Sequence, residues 1–462
     1  MKITSLIRTN AALLATKRMV SAFKKAVGFF VLFHSFTFVF SQPSTQKPVG
    51  FGVSETNERI IEEQLVNKFY EYNGHHLFWF ASGEQSYALR RAIKTSLDSS
   101  VYIGLCRTDY HYQGIAQSTN NVFQPADSLK AMIADRIFTD AAIKYCKDIY
   151  QGRNISSWVS TDELSAKYAE RDNDHVVKGL IASGSGEELI IFLKSLEPFE
   201  KEYSCLKSAL AYQLQKRDSQ VINQLNLALN LFRWIYHFEL NRFIVVNIPS
   251  ATLRYYESDS IKLRMKVVVG KPSTRTPRFS AYCNQIILYP YWNVPRRIAT
   301  HEYLPLFKHY PNLVDSMNMQ IIDSHGNIID PDTVKWSLYN KNNFPYQIRQ
   351  STGCDNALGV VKFNLTDPYD VYMHDTNFKS AFLSDHRYYS HGCIRLEKPI
   401  ELAGYLLDKG LDNKFLESCL KNQSPVPLQL GSPIPVFVVY IPVEAITQDN
   451  LSYYNDIYGL LR

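Results

Sequence analysis

Apolar positions change their period once along this chain, close to residue 241. Upstream they recur every three to four residues. Ile60, Ile61, Leu65 and Phe69 mark one such face, and the spacing predicts helices from Asn57 to about His237. The clearest amphipathic runs are 126–150, opened by the cap residues Ala126-Asp127-Ser128, then 203–217 and 221–238. Clusters such as Ser183-Gly184-Ser185-Gly186 read as loops between them. Downstream the runs are short, β-rich and separated by Pro, Gly and Asn. They predict strands at Phe243–Ile248, Thr252–Tyr256, Leu263–Val269, Gln285–Leu288, Gly359–Phe363, Val371–Met373, Cys393–Leu396 and Val436–Ile441. Pro399 to Lys409 reads as a helix with Pro in its first turn and Gly410 at its stop. The pattern is α+β, with a helical domain over 57–240 and a mainly β, sandwich-like domain over 241–462. Between two strand runs lies a polar and aromatic stretch, 296–346, too long for a plain connection and expected to be a lid.

The first 41 residues stand apart. They hold Lys2, Arg8, Lys17, Arg18, Lys24 and Lys25 and no acid, so without them the formal charge of +6 falls to zero. The basic balance therefore belongs to the N-terminus and offers nothing to nucleic acid. Lys24-Lys25 precede an apolar run, 26–40, that ends at Ser41-Gln42-Pro43. This is the layout of a secretory signal over 1–41, with Met19 as an alternative start and 42–56 as a linker. The competing reading is a membrane anchor through 26–40, although that run is shorter than the roughly 20 residues a spanning helix needs.

Seven cysteines, at 106, 146, 205, 283, 354, 393 and 419, show no metal-ligand spacing and no disulfide framework. One of them carries a chemical context. Ser390-His391-Gly392-Cys393-Ile394-Arg395 follows His374 after a short gap. A thiol needs a neighbouring imidazole to react near neutral pH, and His374 and His391 are both candidates for that base. Strands ending at His374 and starting at Cys393 would lie side by side. Gly392 leaves room for a carbonyl, and the N–H groups of Gly392 and Cys393 are candidate oxyanion donors. Arg395 would share the face of Cys393 and suits a carboxylate. The chemistry implied is acyl transfer through a thioester. Cys354, in Ser351-Thr352-Gly353-Cys354, has no histidine nearby and reads as structural.

These residues resemble the L,D-transpeptidase catalytic domain (YkuD) family, whose signature is an upstream His followed by Ser-His-Gly-Cys. The likeness extends to Val246-Asn247-Ile248-Pro249, Val269-Gly270-Lys271-Pro272, Thr276-Pro277, Pro290-Tyr291-Trp292-Asn293-Val294-Pro295 and Asn356-Ala357-Leu358-Gly359. In the helical half it includes Leu196-Glu197-Pro198 and Asn230-Leu231-Phe232-Arg233-Trp234-Ile235, which points to the long Gram-negative subclass. The resemblance implies Cys393 as nucleophile, His374 as general base and the main-chain carbonyl of Asp375 as the group that orients the ring. Ser390, His391 and Gly392 would support the reaction, and Arg395 and Asn356 would line the substrate site. It implies no metal or organic cofactor.

The resemblance also implies a reaction. Cys393 would attack the diamino-acid carbonyl of a peptidoglycan stem tetrapeptide, release D-alanine and pass the acyl group to another stem's side-chain amine. Water as acceptor would make the enzyme a carboxypeptidase or crosslink hydrolase, and a further alternative is an inactive wall-binding protein. Carbapenem-type β-lactams would be inhibitors, and the place of action the periplasm or envelope of a Gram-negative bacterium. Two departures stand out. Thr352-Gly353-Cys354 replaces the Pro-Gly-Pro turn of the subclass, which puts the rigidity of that loop in doubt. No separate peptidoglycan-binding module is visible, and 203–240 is either its remnant or part of the helical domain.

Overall fold

A computed structural model describes residues 59–119, 128–407, 411–447 and 450–461. The expected signal, linker and apolar run 26–40 lie outside these residues, as do Ala126-Asp127 and Lys409-Gly410. No helix among the described residues is long and apolar enough to cross a membrane.

The helical half contains the helices Glu63–Tyr72, Glu84–Asp98, Tyr112–Thr119, Ser128–Gln151, Glu163–Ala182, Gly186–Ser195, Lys201–Lys216 and Ser219–Tyr236. The first six enclose one core, with Phe69, Trp79, Phe138 and Cys146 almost wholly buried. The last two, Lys201–Lys216 and Ser219–Tyr236, mostly do a different job. Leu206, Leu225, Phe232 and Trp234 pack onto strand residues Phe243, Val245, Phe437 and Val439. They therefore form the bridge between the halves. A two-residue strand, Thr161–Asp162, also joins the sheet edge beside Phe279–Ser280. Residues Glu58–Arg462 accordingly make one compact unit.

The catalytic half is a mixed sheet of ten strands among the described residues. Its path runs from Phe279–Leu288 through Val361–Leu365, Met373–His374, Ile394–Leu396, Ser260–Gly270, Thr252–Glu257 and Arg242–Asn247 to Val426–Val439. That last strand also pairs antiparallel with Phe279–Leu288, so the sheet closes on itself and its inner face encloses one core. Ile244, Val246, Val436 and Val438 point inward, while Phe243, Val245, Phe437 and Val439 point at the bridging helices. Burial on both faces explains why these strands read as continuous apolar runs rather than alternating ones. The strand expected at Val436–Ile441 starts ten residues earlier, at Val426. Pro427, Pro433 and Pro435 mask its first half, and the register shifts between Gln429 and Ile434, where prolines are tolerated.

The stretch expected as a lid over 296–346 is a folded insert with wider bounds. Trp292 pairs with Gln350 and Asn293 with Arg349, which closes its base. A small sheet of Trp292–Asn293, Gln347–Gln350, Met319–Ile322 and Ile328–Ile329 carries a helical stretch from Arg296 to His309. The insert's aromatics form its own core, among them Phe307, Trp336 and Phe344.

Candidate active site

The strands that carry the chemistry alternate strictly. Met373, Ile394 and Leu396 are fully buried in the core, so Tyr372, His374, Cys393 and Arg395 face the other way. Parallel pairing sets His374 opposite Arg395, and antiparallel pairing sets it opposite Lys362. Tyr372, His374, Cys393 and Arg395 line one cavity of about 560 Å³, together with Trp292, Arg297 and Glu302 from the insert.

His374 is 5% exposed. Its Nδ1 lies 2.5 Å from the carbonyl oxygen of Asp375, which accepts the ring's N–H and leaves Nε2 as the basic nitrogen. Asp375 is held in turn: its carboxylate accepts from Val360 N–H at 3.0 Å and Thr376 N–H at 2.7 Å, and pairs with Lys379. Gly359 makes room for that carboxylate. Its φ is +57°, and a Cβ there would come within 2.2 Å of Asp375 Oδ2. Burial first, then the Arg395 guanidinium, pushes the His374 pKa from 6.5 down to about 3.

The thiol is set by its own turn. Gly392 takes φ +127°, a conformation open to glycine. Thr276 Oγ1 donates to the Gly392 carbonyl at 2.7 Å, and Ser390 Oγ donates to the Cys393 carbonyl at 2.7 Å. Burial pushes the Cys393 pKa up, while hydrogen bonds from the main chain and side chain of Tyr372 and the charge of Lys362 oppose that rise. The arrangement at rest is a half-buried thiol and a buried imidazole lining one cavity, with cations on the same sheet face.

Residues 241–436 match the family described as L,D-transpeptidase catalytic domain, and 64–210 match one described as Scaffold domain. This is an L,D-transpeptidase catalytic domain behind a scaffold domain. A Haemophilus influenzae protein named "Putative L,D-transpeptidase" is 31% identical over 335 residues, which is 71% of this chain. The match spans 66% of that relative, just under two thirds of its length. Among solved structures, the catalytic domain of the Enterococcus faecium L,D-transpeptidase is 17% identical, covering 43% of this chain and 95% of that one at a TM-score of 0.20. Mycobacterium tuberculosis L,D-transpeptidase 1 is 15% identical, covering 43% and 61% at 0.18.

Within this transpeptidase domain two expected roles change. Asn356 does not line the cavity. It is fully buried, and its Nδ2 reaches the carbonyls of Ser351 at 2.8 Å and Pro290 at 3.2 Å, while Oδ1 accepts from Leu358 N–H at 2.7 Å. It clamps the two chain segments at the insert's base. The Gly392 N–H is not an open oxyanion donor, because it donates to Ser390 Oγ at 3.1 Å. Ser390 thus shapes the turn. His391 also lines the cavity, where its Nε2 lies 3.0 Å from Glu302 Oε1 of the insert. Arg395 lines the cavity as expected.

Sequence reasoning missed four contributors. Tyr372 shares a strand face with His374, their ring centres 5.5 Å apart, and lines the cavity with the thiol and Trp292. Lys362 Nζ sits 4.2 Å from the Tyr372 ring centre. The alternation in Val371-Tyr372-Met373-His374 was the signal for Tyr372. Lys362 and Glu302 come from segments distant in sequence and left none, while Trp292 stood in the landmark run 290–295 without a role. Cys354 is bonded to Cys419, across 65 residues. Of the free cysteines, Cys146 and Cys283 are buried, whereas Cys106 is exposed.

Proposed function

We propose that the protein is a peptidoglycan L,D-transpeptidase of the cell envelope, with Cys393 as nucleophile and His374 as base. The observation that carries the reading is the buried imidazole, fixed by the Asp375 carbonyl, in one cavity with the Cys393 thiol. His374 Nε2 takes the thiol proton as sulfur attacks the diamino-acid carbonyl of a stem tetrapeptide. The imidazolium returns that proton to the departing D-alanine amine, leaving a thioester. An acceptor amine from a second stem then attacks the thioester, loses its proton to His374, and the thiol is restored. Arg395 and Lys362 suit the carboxylates of the donor and the charge that develops on the reacting oxygen. Strained β-lactams of the carbapenem type would acylate the same sulfur. The Cys354–Cys419 disulfide and the leader-like 1–41 support export to an oxidising compartment.

Incubation of the purified protein with disaccharide tetrapeptide tests the reaction. Mass spectrometry should find crosslinked dimer and free D-alanine, and neither with Cys393→Ala. Tripeptide and D-alanine without dimer would leave a carboxypeptidase in place of a transferase.

The insert is proposed to keep water from the thioester. Its link to the catalytic turn is the Glu302–His391 pair, with side chains 52% and 40% exposed. A pair this open is worth at most about 1 kcal/mol, so Glu302→Ala should raise the ratio of hydrolysis to crosslinking by about fivefold or less. The two products, measured together by chromatography, report that ratio; no change would remove the pair from the lid's function.

A further inference from the structure

The helical half holds a second cavity, about 660 Å³, between scaffold segments and the helix Ser219–Tyr236, that the transpeptidation chemistry does not use. Its floor is one face of the helix Ser219–Tyr236, where Asn223, Asn226 and Leu227 recur at helical spacing. Segments 100–108 and 153–158 form its walls. Asn230, one of the landmark residues of the helical half, ties floor and walls together. Its Nδ2 donates to the carbonyls of Gly104 at 3.2 Å and Asn226 at 2.7 Å, and its Oδ1 accepts from Arg153 N–H at 2.8 Å. Asn230 is thereby used up as a brace, and the groove it braces is lined by other side chains.

Those side chains define a chemistry. Asn223 and Asn154 are exposed amides, and Asn226 Oδ1 is buried without a hydrogen-bond partner. Trp158 presents a half-buried aromatic. Two guanidiniums are present, but each already meets an acid: Arg153 pairs with Asp109, and Arg107 lies 3.7 Å from Asp98 and 4.5 Å over the Tyr112 ring. Balanced charge argues against a polyanion such as nucleic acid. The polar amides argue against a lipid tail. Amides that donate and accept at once, an aromatic face and neutral overall charge suit the hydroxyls, acetamido groups and C–H faces of a sugar chain.

We propose that this groove binds an N-acetylated oligosaccharide, the glycan strand to which the stem peptides are attached. The choice of that glycan rests on the transpeptidase reading above. Helical half and catalytic domain then divide one substrate, sugar to one and peptide to the other.

The test uses the full mature chain carrying Cys393→Ala, so that nothing is consumed, and a hexamer of N-acetylglucosamine as probe. Calorimetric titration should show binding in the millimolar range or tighter. Trp158→Ala and Asn223→Leu, each added to that chain, should weaken it about tenfold. Their unfolding midpoints should match the parent. Asn223 is exposed, so its variant keeps the test open if Trp158→Ala fails to fold. No titration by the hexamer, or equal affinity in the folded variants, would overturn the proposal. Acylation of the unmodified protein by a carbapenem is measured separately. Its failure would overturn the reaction assigned to Cys393 and leave the sugar result standing.

Discussion

His374→Ala is expected to slow acylation of Cys393 by about three orders of magnitude or more, while His391→Ala keeps the rate within about tenfold. The two histidines differ in what holds them. His374 is buried, its Nδ1 proton spoken for by the Asp375 carbonyl, and its free nitrogen faces the cavity that holds the thiol. His391 is 40% exposed and turned to Glu302 of the insert. Mass-spectrometric timing of carbapenem adduct formation at Cys393 separates them, and the reverse ranking would move the base to His391. The same burial has a signature in stability. The His374 pKa is depressed from 6.5 to about 3, so between those values the unfolded chain binds a proton that the folded chain does not. The contribution is therefore fully present above about pH 6.5 and is lost as pH falls toward about 3. His374→Gln, which cannot take that proton in either state, should flatten the fall of the melting temperature over this window. An unchanged acid slope would contradict the depressed value.

The second large effect is expected at the disulfide. Cys354 and Cys419 close a loop of 65 residues, for which chain entropy gives about 4 kcal/mol of stabilisation. Replacing both by alanine should lower the unfolding free energy by about that amount in a denaturant titration, and reduction of the unaltered protein should do the same. A loss below about 1 kcal/mol would mean that neighbouring contacts already hold the loop. Those contacts are Ser351 Oγ donating to Asn422 Oδ1 at 2.9 Å and Thr352 Oγ1 donating to the Gln423 carbonyl at 2.8 Å. The turn that lacks the prolines of its subclass is thus fastened by a covalent bond instead. That removes the doubt over its rigidity, and it places the crosslink two residues from Asn356, at the base of the insert.

What could be read beforehand followed the range of each signal. Periodicity is local, and it located the helices, the strands and the change of texture near residue 241. His374 and Cys393 could be singled out because one ends and the other precedes a strand whose opposite face is plainly apolar. Asn356 was misassigned because its partners, Pro290 and Ser351, meet it through the fold and not through spacing. The Gly392 N–H was misassigned because a side chain two residues away, Ser390, competes for it. The insert's true bounds depended on the pairing of Trp292 with Gln350, and the disulfide on a turn meeting a distant segment.

That pairing at Trp292 and Gln350 has an evolutionary consequence. The insert enters and leaves the domain at adjacent positions of one antiparallel ladder and carries its own core. A short turn across the same two positions would close the chain with the sheet beneath undisturbed. The insert is therefore built as a separable cassette: what roofs the cavity could be exchanged while the strands that place His374 and Cys393 stay as they are.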